Sequence, residues 1–288
     1  MALDTDHANS SNFTDVNGHQ IAWRSTGTGR PLLMLNRFRA SMDDWDPALI
    51  GALARHHQVI TFDSAGVAQS GGTVPETLEG AADIAMGLAK TIGLDKPNVL
   101  GWSMGGMTAQ ILAAKYGDEI GGVILAGTTP SFAIEGTVPV SNEWLGTATK
   151  EQNTPADMQF LFYADTDTSR AAGMASLERI GGGDAANGAA SKTTMQTIAA
   201  QGAATRTFFF GEDGAFKKLG SISVPVLVAN GDQDRAFAVE NSVALVRTIP
   251  NAQLAIYPDA GHAFLFQHAE QFAKDVTEFL GSGFIANI

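Results

Sequence analysis

The sequence predicts an α/β fold, with a mostly parallel central sheet, helices on both faces and an inserted helical cap. Three observations lead to this expectation. From Pro31 onward short continuous apolar runs alternate with segments of helical period, and parallel strands buried on both faces read as such runs. One long interval breaks the alternation. The chain has 288 residues, 44% hydrophobic and 17% charged, which is enough for one large core with an elaboration.

Taken in order, Asn12 to Ser25 reads as two short strands around Val16-Asn17-Gly18, where Asn-Gly supplies the positive φ angles of a hairpin turn. Core strands are expected at Leu32 to Leu35, Val59 to Phe62, Asn98 to Gly101, Val123 to Ala126, Val224 to Ala229 and Leu254 to Tyr257. Helices are expected at Pro47 to His56, Thr77 to Ile92, Gly105 to Tyr116, Val239 to Thr248 and Ala263 to Leu280. From about Ser131 to about Ile222 no buried-strand signal appears, and Ala, Gly, Thr and Ser dominate, with Gly181-Gly182-Gly183 as a flexible point. Helical pieces are expected there at Pro155 to Tyr163, Ser169 to Ile180 and Thr193 to Gln201. A stretch of this length inside a βα alternation reads as an insertion rather than a structureless loop. The expected division is a core of residues 1–130 and 223–288 and an inserted cap of residues 131–222.

Composition narrows the function. With 18 Lys and Arg against 30 Asp and Glu, the net charge of -12 repels phosphate backbones and anionic lipid, so neither nucleic-acid nor membrane partners are expected. Cysteine is absent, which removes disulfides, thiolate metal sites and a cysteine nucleophile together. The polar N-terminal stretch lacks the basic and apolar regions of a signal peptide, and no apolar run approaches the roughly 20 residues of a membrane span. A cytoplasmic location is the expectation. Gly27-Thr28-Gly29 does not continue into a dinucleotide fingerprint.

The string Gly101-Trp102-Ser103-Met104-Gly105 follows an apolar strand and precedes a helix. A serine on so sharp a turn takes strained dihedrals, and side chains two residues to either side would collide, so both flanks need glycine. The turn lifts the Ser103 hydroxyl above the sheet and aims the free N–H groups of the next helix at it. A hydroxyl attacks only once a base takes its proton, and six histidines are available. His7 lies in the polar tail and His19 in the hairpin. His56 and His57 end a predicted helix, where a cation suits the dipole. His262 follows the last strand in Pro258-Asp259-Ala260-Gly261-His262, at the carboxyl edge where α/β sheets build their sites, and is the expected base. His268 is expected on the last helix and is the weaker candidate. Gly231-Asp232-Gln233-Asp234-Arg235 offers two carboxylates just past a strand, either able to orient an imidazole, and Asp232 could instead bond its own turn.

In content and chain order these residues resemble the α/β-hydrolase superfamily along nearly the whole sequence. The resemblance implies a serine hydrolase without cofactor or metal, with Ser103 as nucleophile and His262 as base. It implies Asp234, three residues after Gly231, rather than Asp232 as the acid, and the backbone N–H groups of Phe38 and Met104 as oxyanion donors. Carboxylic esters or lactones, cleaved by water, are the implied small-molecule substrates. Perhydrolase, carbon–carbon bond hydrolase and aminopeptidase activity on the same triad, or small-molecule binding without turnover, are the alternatives. Relatives that displace halide or open epoxides carry Asp where this chain has Ser103. Asp63-Ser64-Ala65-Gly66, with Ser70 beyond, resembles a structural turn of the family in which Ala68 replaces the second glycine.

The departure from the family is Leu35-Asn36-Arg37-Phe38-Arg39, which stands where a His-Gly-x triplet is usual. Two readings of the arginines follow. In one, an arginine, Arg39 in particular, binds a substrate carboxylate or carbonyl through its planar fork. In the other, they pair with Asp43, Asp44 or Asp46 and brace the loop. Trp102 and Trp144, with Met104, Met107, Phe132, Phe160, Phe162 and Tyr163, are candidates to line an apolar substrate pocket.

Overall fold

The computed structural model describes residues 11–181 and 193–281. His7, Gly182, Gly183 and the N-terminal stretch of residues 1–10 lie outside the described residues. The strands are β1 Asn12–Val16, β2 His19–Thr26, β3 Arg30–Leu35, β4 His57–Phe62, β5 Asn98–Trp102, β6 Val123–Ala126, β7 Val226–Gly231 and β8 Ala252–Tyr257. They form one eight-stranded sheet in the order β1-β2-β4-β3-β5-β6-β7-β8. The β1–β2 and β2–β4 pairs are antiparallel and the rest are parallel. The fold class read from the sequence is therefore the observed one. The hairpin closes through Asn17 and Gly18, at φ 54° and 83°, as a primed turn requires.

The helices are α1 Pro47–Ala54, α2 Leu78–Thr91, α3 Met104–Tyr116, α4 Asn142–Ala148, α5 Pro155–Phe162, α6 Asp167–Gly181, α7 Met195–Phe209, α8 Val239–Thr248, α9 Phe264–Gln267 and α10 Ala269–Gly281. Alternate residues of each central strand enter different cores. Leu32 and Met34 of β3 join Leu100, Trp102, Ile124 and Leu227 in one cluster with residues of α1, α9 and α10. Leu33 and Leu35 join Val99, Val123, Leu125 and Val226 in another with residues of α2, α3 and α8. The continuous apolar runs of the sequence are thus explained by burial on both faces.

Three local expectations are corrected. The penultimate strand begins at Val226 rather than Val224, since Pro225 has no N–H for the ladder. The first core helix ends at Ala54, and His57 opens β4 instead of closing a helix. The His57 ring is buried and bonded through Nε2 to Thr277 Oγ1 of α10 (3.1 Å). The expected last helix is two helices broken at His268, whose Nε2 turns back to the Pro258 carbonyl (3.1 Å).

Helices α4 to α7 fill the interval between β6 and β7, and side-chain bonds fasten it to the core. Asp46, the buried N-cap of α1, accepts both Nε (2.8 Å) and Nη2 (2.6 Å) of Arg179 on α6 and the Ser176 hydroxyl (2.7 Å). Among the described residues no helix is long and apolar enough to cross a membrane.

Candidate active site

Strand β5 runs directly into α3 through Ser103, whose φ of 59° and ψ of −118° define a sharp, strained turn. The turn is held by its own backbone: Ser103 N–H donates to Ala126 O on β6 (2.9 Å), and Thr128 Oγ1 donates to Ser103 O (2.7 Å). A Cβ on Gly105 would overlap the Leu35 carbonyl, and one on Gly101 would overlap Gly105 O. Gly101 therefore lets β5 lie close under the start of α3, and Gly105 lets the start of α3 pack backbone to backbone against the end of β3. This close approach brings the loop after β3 to the Ser103 turn.

His262 sits between β8 and α9, and its Nδ1 lies 2.8 Å from Asp234 Oδ2 just past β7. The other Asp234 oxygen accepts the Ala236 (2.7 Å) and Phe237 (3.0 Å) amides, so the carboxylate is fixed at both ends. The Asp234 and His262 side chains are 0% and 1% exposed. Asp232, in contrast, is exposed, and its Oδ1 accepts the Ala260 amide (3.1 Å), a bond to the loop after β8 rather than to its own turn. With Nδ1–H given to a carboxylate, His262 Nε2 carries the lone pair. That atom is buried and has no hydrogen-bond partner among the described residues.

Four aromatic rings surround the imidazole. The Trp102, Trp144, Phe162 and Phe237 centroids lie 5.8, 5.8, 5.9 and 5.6 Å from it. Trp102 is buried, and its Nε1 donates to His262 O (3.0 Å), so it positions the histidine loop. Trp144 meets the imidazole edge-on while its Nε1 donates to Leu161 O (3.2 Å). The Phe162 carbonyl at the end of α5 accepts the Ala263 amide (2.8 Å), which ties the interval between β6 and β7 to the residue after His262. Phe237 has no role in the sequence reading. Its only signal was its place three residues past Asp234, within reach of that carboxylate.

Met104 opens α3, where helix geometry leaves its amide without an intrahelical acceptor. Phe38 lies in a four-residue turn closed by Ala40 N–H to Arg37 O (3.2 Å), with Arg39 at φ 65°. The arginines differ from the substrate-binding reading. Arg37 pairs with Asp44 (3.3 Å), donates to Phe38 O (2.9 Å) and stacks on Phe162 and Trp102. Burial lowers its pKa from the usual arginine value, while Asp44 opposes the shift. Arg39 is engaged by the chain around the end of α4, through the carbonyls of Ala148 (2.9 Å), Lys150 (2.6 Å) and Glu151 (3.0 Å). These carbonyls occupy the fork that a substrate carboxylate would need. No group of three or more metal-ligating side chains occurs among the described residues.

Residues 30–269 match the family model for the alpha/beta hydrolase fold, and the chain belongs to that family of hydrolases. It is 26% identical over 282 residues to a non-heme haloperoxidase of Rhodococcus erythropolis, covering 93% of this chain and 98% of that one. An alpha/beta hydrolase fold protein from Chitinophaga pinensis superposes with a TM-score of 0.80 at 28% identity, over 96% and 99% of the two chains. A thermophilic esterase from Thermogutta terrifontis superposes with a TM-score of 0.72 at 25% identity, over 95% and 98%.

Proposed function

We propose that this chain is a serine hydrolase that cleaves ester or lactone bonds of a small, largely apolar substrate through an acyl-enzyme. The observation that carries the reading is the buried His262–Asp234 pair, 2.8 Å apart, on the same sheet edge as the strained Ser103 turn. Ser103 Oγ attacks the carbonyl carbon as His262 Nε2 takes its proton. The Met104 and Phe38 amides receive the negative charge that moves onto the carbonyl oxygen. Collapse breaks the bond to the leaving alcohol, which takes the proton from His262. Water then gives a proton to the same nitrogen and attacks the acyl carbonyl, and the second collapse releases the acid and returns the proton to Ser103. Asp234 stays ionised throughout and stabilises the imidazolium.

An apolar acyl group is supported by the rings of Trp144, Phe162 and Phe237 around His262. A neutral substrate is supported by the engagement of both nearby guanidinium groups. The likeness to a named esterase agrees with the reading. The test is kcat/KM on nitrophenyl esters of graded chain length and on a lactone panel, for native protein and Ser103→Ala. Native turnover that falls on the order of 10⁴-fold or more in the variant is expected. Equal turnover in the two proteins would overturn the proposal.

A further inference from the structure

We infer that Arg37 is a positioning residue that holds the Phe38 amide in place as an oxyanion donor. The inference rests on the serine-hydrolase reading and goes beyond it. A large cation is an unexpected occupant of the turn after β3, and one of its guanidinium nitrogens reaches that turn's central peptide. In the turn from Arg37 to Ala40, Arg39 at φ 65° is the third residue, the position at which a type II turn requires positive φ. What distinguishes this turn from its type I counterpart is the orientation of the central peptide, from Phe38 C=O to Arg39 N–H. Both ends of that peptide are held. Arg37 Nη1 donates to Phe38 O (2.9 Å), and Gln201 Oε1 of α7 accepts Arg39 N–H (2.8 Å). The ring closed by the Arg37 side chain and Phe38 O includes the peptide that carries the Phe38 N–H.

The guanidinium is fixed in turn. It lies 4.8 Å from the Phe162 ring centroid and 5.4 Å from that of Trp102, the residue before Ser103, and it pairs with Asp44. Asp44 Oδ2 accepts the Ser41 amide (2.7 Å) and hydroxyl (2.9 Å) just beyond the turn. Arg37 thus links the donor peptide to the Ser103 turn and to the α5 end that supports His262. A lysine could keep the charge, but it offers neither the planar stack nor the fork.

The test uses Phe38→Pro, which deletes the N–H at a turn position that proline favours, with Phe38→Ala as the control that removes only the ring. The readouts are kcat and KM on the best ester and the rate of Ser103 labelling by a fluorophosphonate. Phe38→Pro is expected to lower kcat and labelling by about 10²–10³-fold, and Phe38→Ala by a few-fold at most. Arg37→Ala is expected to lower kcat on the order of 10²-fold with KM little changed, and Arg37→Lys to fall between. In the Phe38→Pro background Arg37→Ala should cost nothing further, because its effect passes through the deleted amide. An unchanged kcat in both Arg37 variants, or an Arg37→Ala effect of equal size with and without the Phe38 amide, would overturn the inference. If Arg37→Ala does not fold, Arg37→Lys with and without Phe38→Pro supplies the same cycle. Native protein with neither turnover nor labelling would instead overturn the serine-hydrolase reading itself.

Discussion

At residue scale, the site depends on atoms that have little freedom. Gly105 has no space for a Cβ against the Leu35 carbonyl, so Gly105→Ala is expected to cost about 1–3 kcal/mol, read as a lower urea midpoint. Ala68 stands at φ 46° where the related turn motif has glycine. Left-handed backbone costs a non-glycine residue about 1–2 kcal/mol, and the extra freedom of glycine when unfolded returns part of that. Ala68→Gly should therefore stabilise by up to about 1 kcal/mol, and a lower melting temperature would contradict this. The carboxylates separate more sharply. Asp234→Asn removes the bond to Nδ1–H that fixes the His262 tautomer, and a loss in kcat on the order of 10⁴-fold is expected. Asp232→Asn keeps an oxygen for the Ala260 amide and should change kcat little. The order Ser, Asp, His was legible because each residue lies in a short segment just past the carboxyl end of a strand. The two-residue choice between Asp232 and Asp234 rested on the family pattern, because both follow the same strand end.

Element scale shows where the sequence ran out. Seven-residue α4 went unread because two turns carry too little periodicity, and its one local signal is Ser141, whose side chain caps the Trp144 amide. The break at His268 falls inside an unbroken apolar pattern and arises from a bond to Pro258 on the preceding loop. The sequence does not separate His57 from the helix because the end of α1 and the start of β4 are nearly contiguous. Burial holds its pKa below the usual histidine value, with the neighbouring His56 adding to the shift. Because the folded value is depressed, the unfolded chain binds the proton more readily. Stability is then retained above about pH 6.5 and lost as pH falls below it. Denaturation midpoints at pH 8 and pH 5.5 should differ less in His57→Gln than in the native protein, and an identical difference would refute this assignment. The contact between α6 and α1 is also testable. Arg179→Met leaves the buried Asp46 charge without its cation, but Arg179 is 38% exposed. A cost of about 2 kcal/mol is expected, below the 3–5 kcal/mol of a fully buried pair.

Across the whole molecule, the fold class was legible because two-sided burial leaves continuous apolar strands, a property of each segment alone. The contacts that join the interval between β6 and β7 to the core were not. Asp46 meets Arg179 and Arg39 meets Lys150 across more than a hundred residues, and neither partner carries a local signature of the other. The first contact holds α6 and the second the segment after α4, while Trp144 of α4 and Phe162 of α5 flank His262, so residues of the interval and of the sheet edge meet at the candidate catalytic histidine. The central claim is that His262 and Asp234 activate Ser103 as a nucleophile. It is tested most directly by treating native protein, Ser103→Ala and His262→Ala with a fluorophosphonate and mapping the adduct by peptide mass spectrometry. One adduct is expected, on Ser103, absent from Ser103→Ala and strongly reduced in His262→Ala. An adduct on another residue that persists in Ser103→Ala, or none in the native protein, would contradict it.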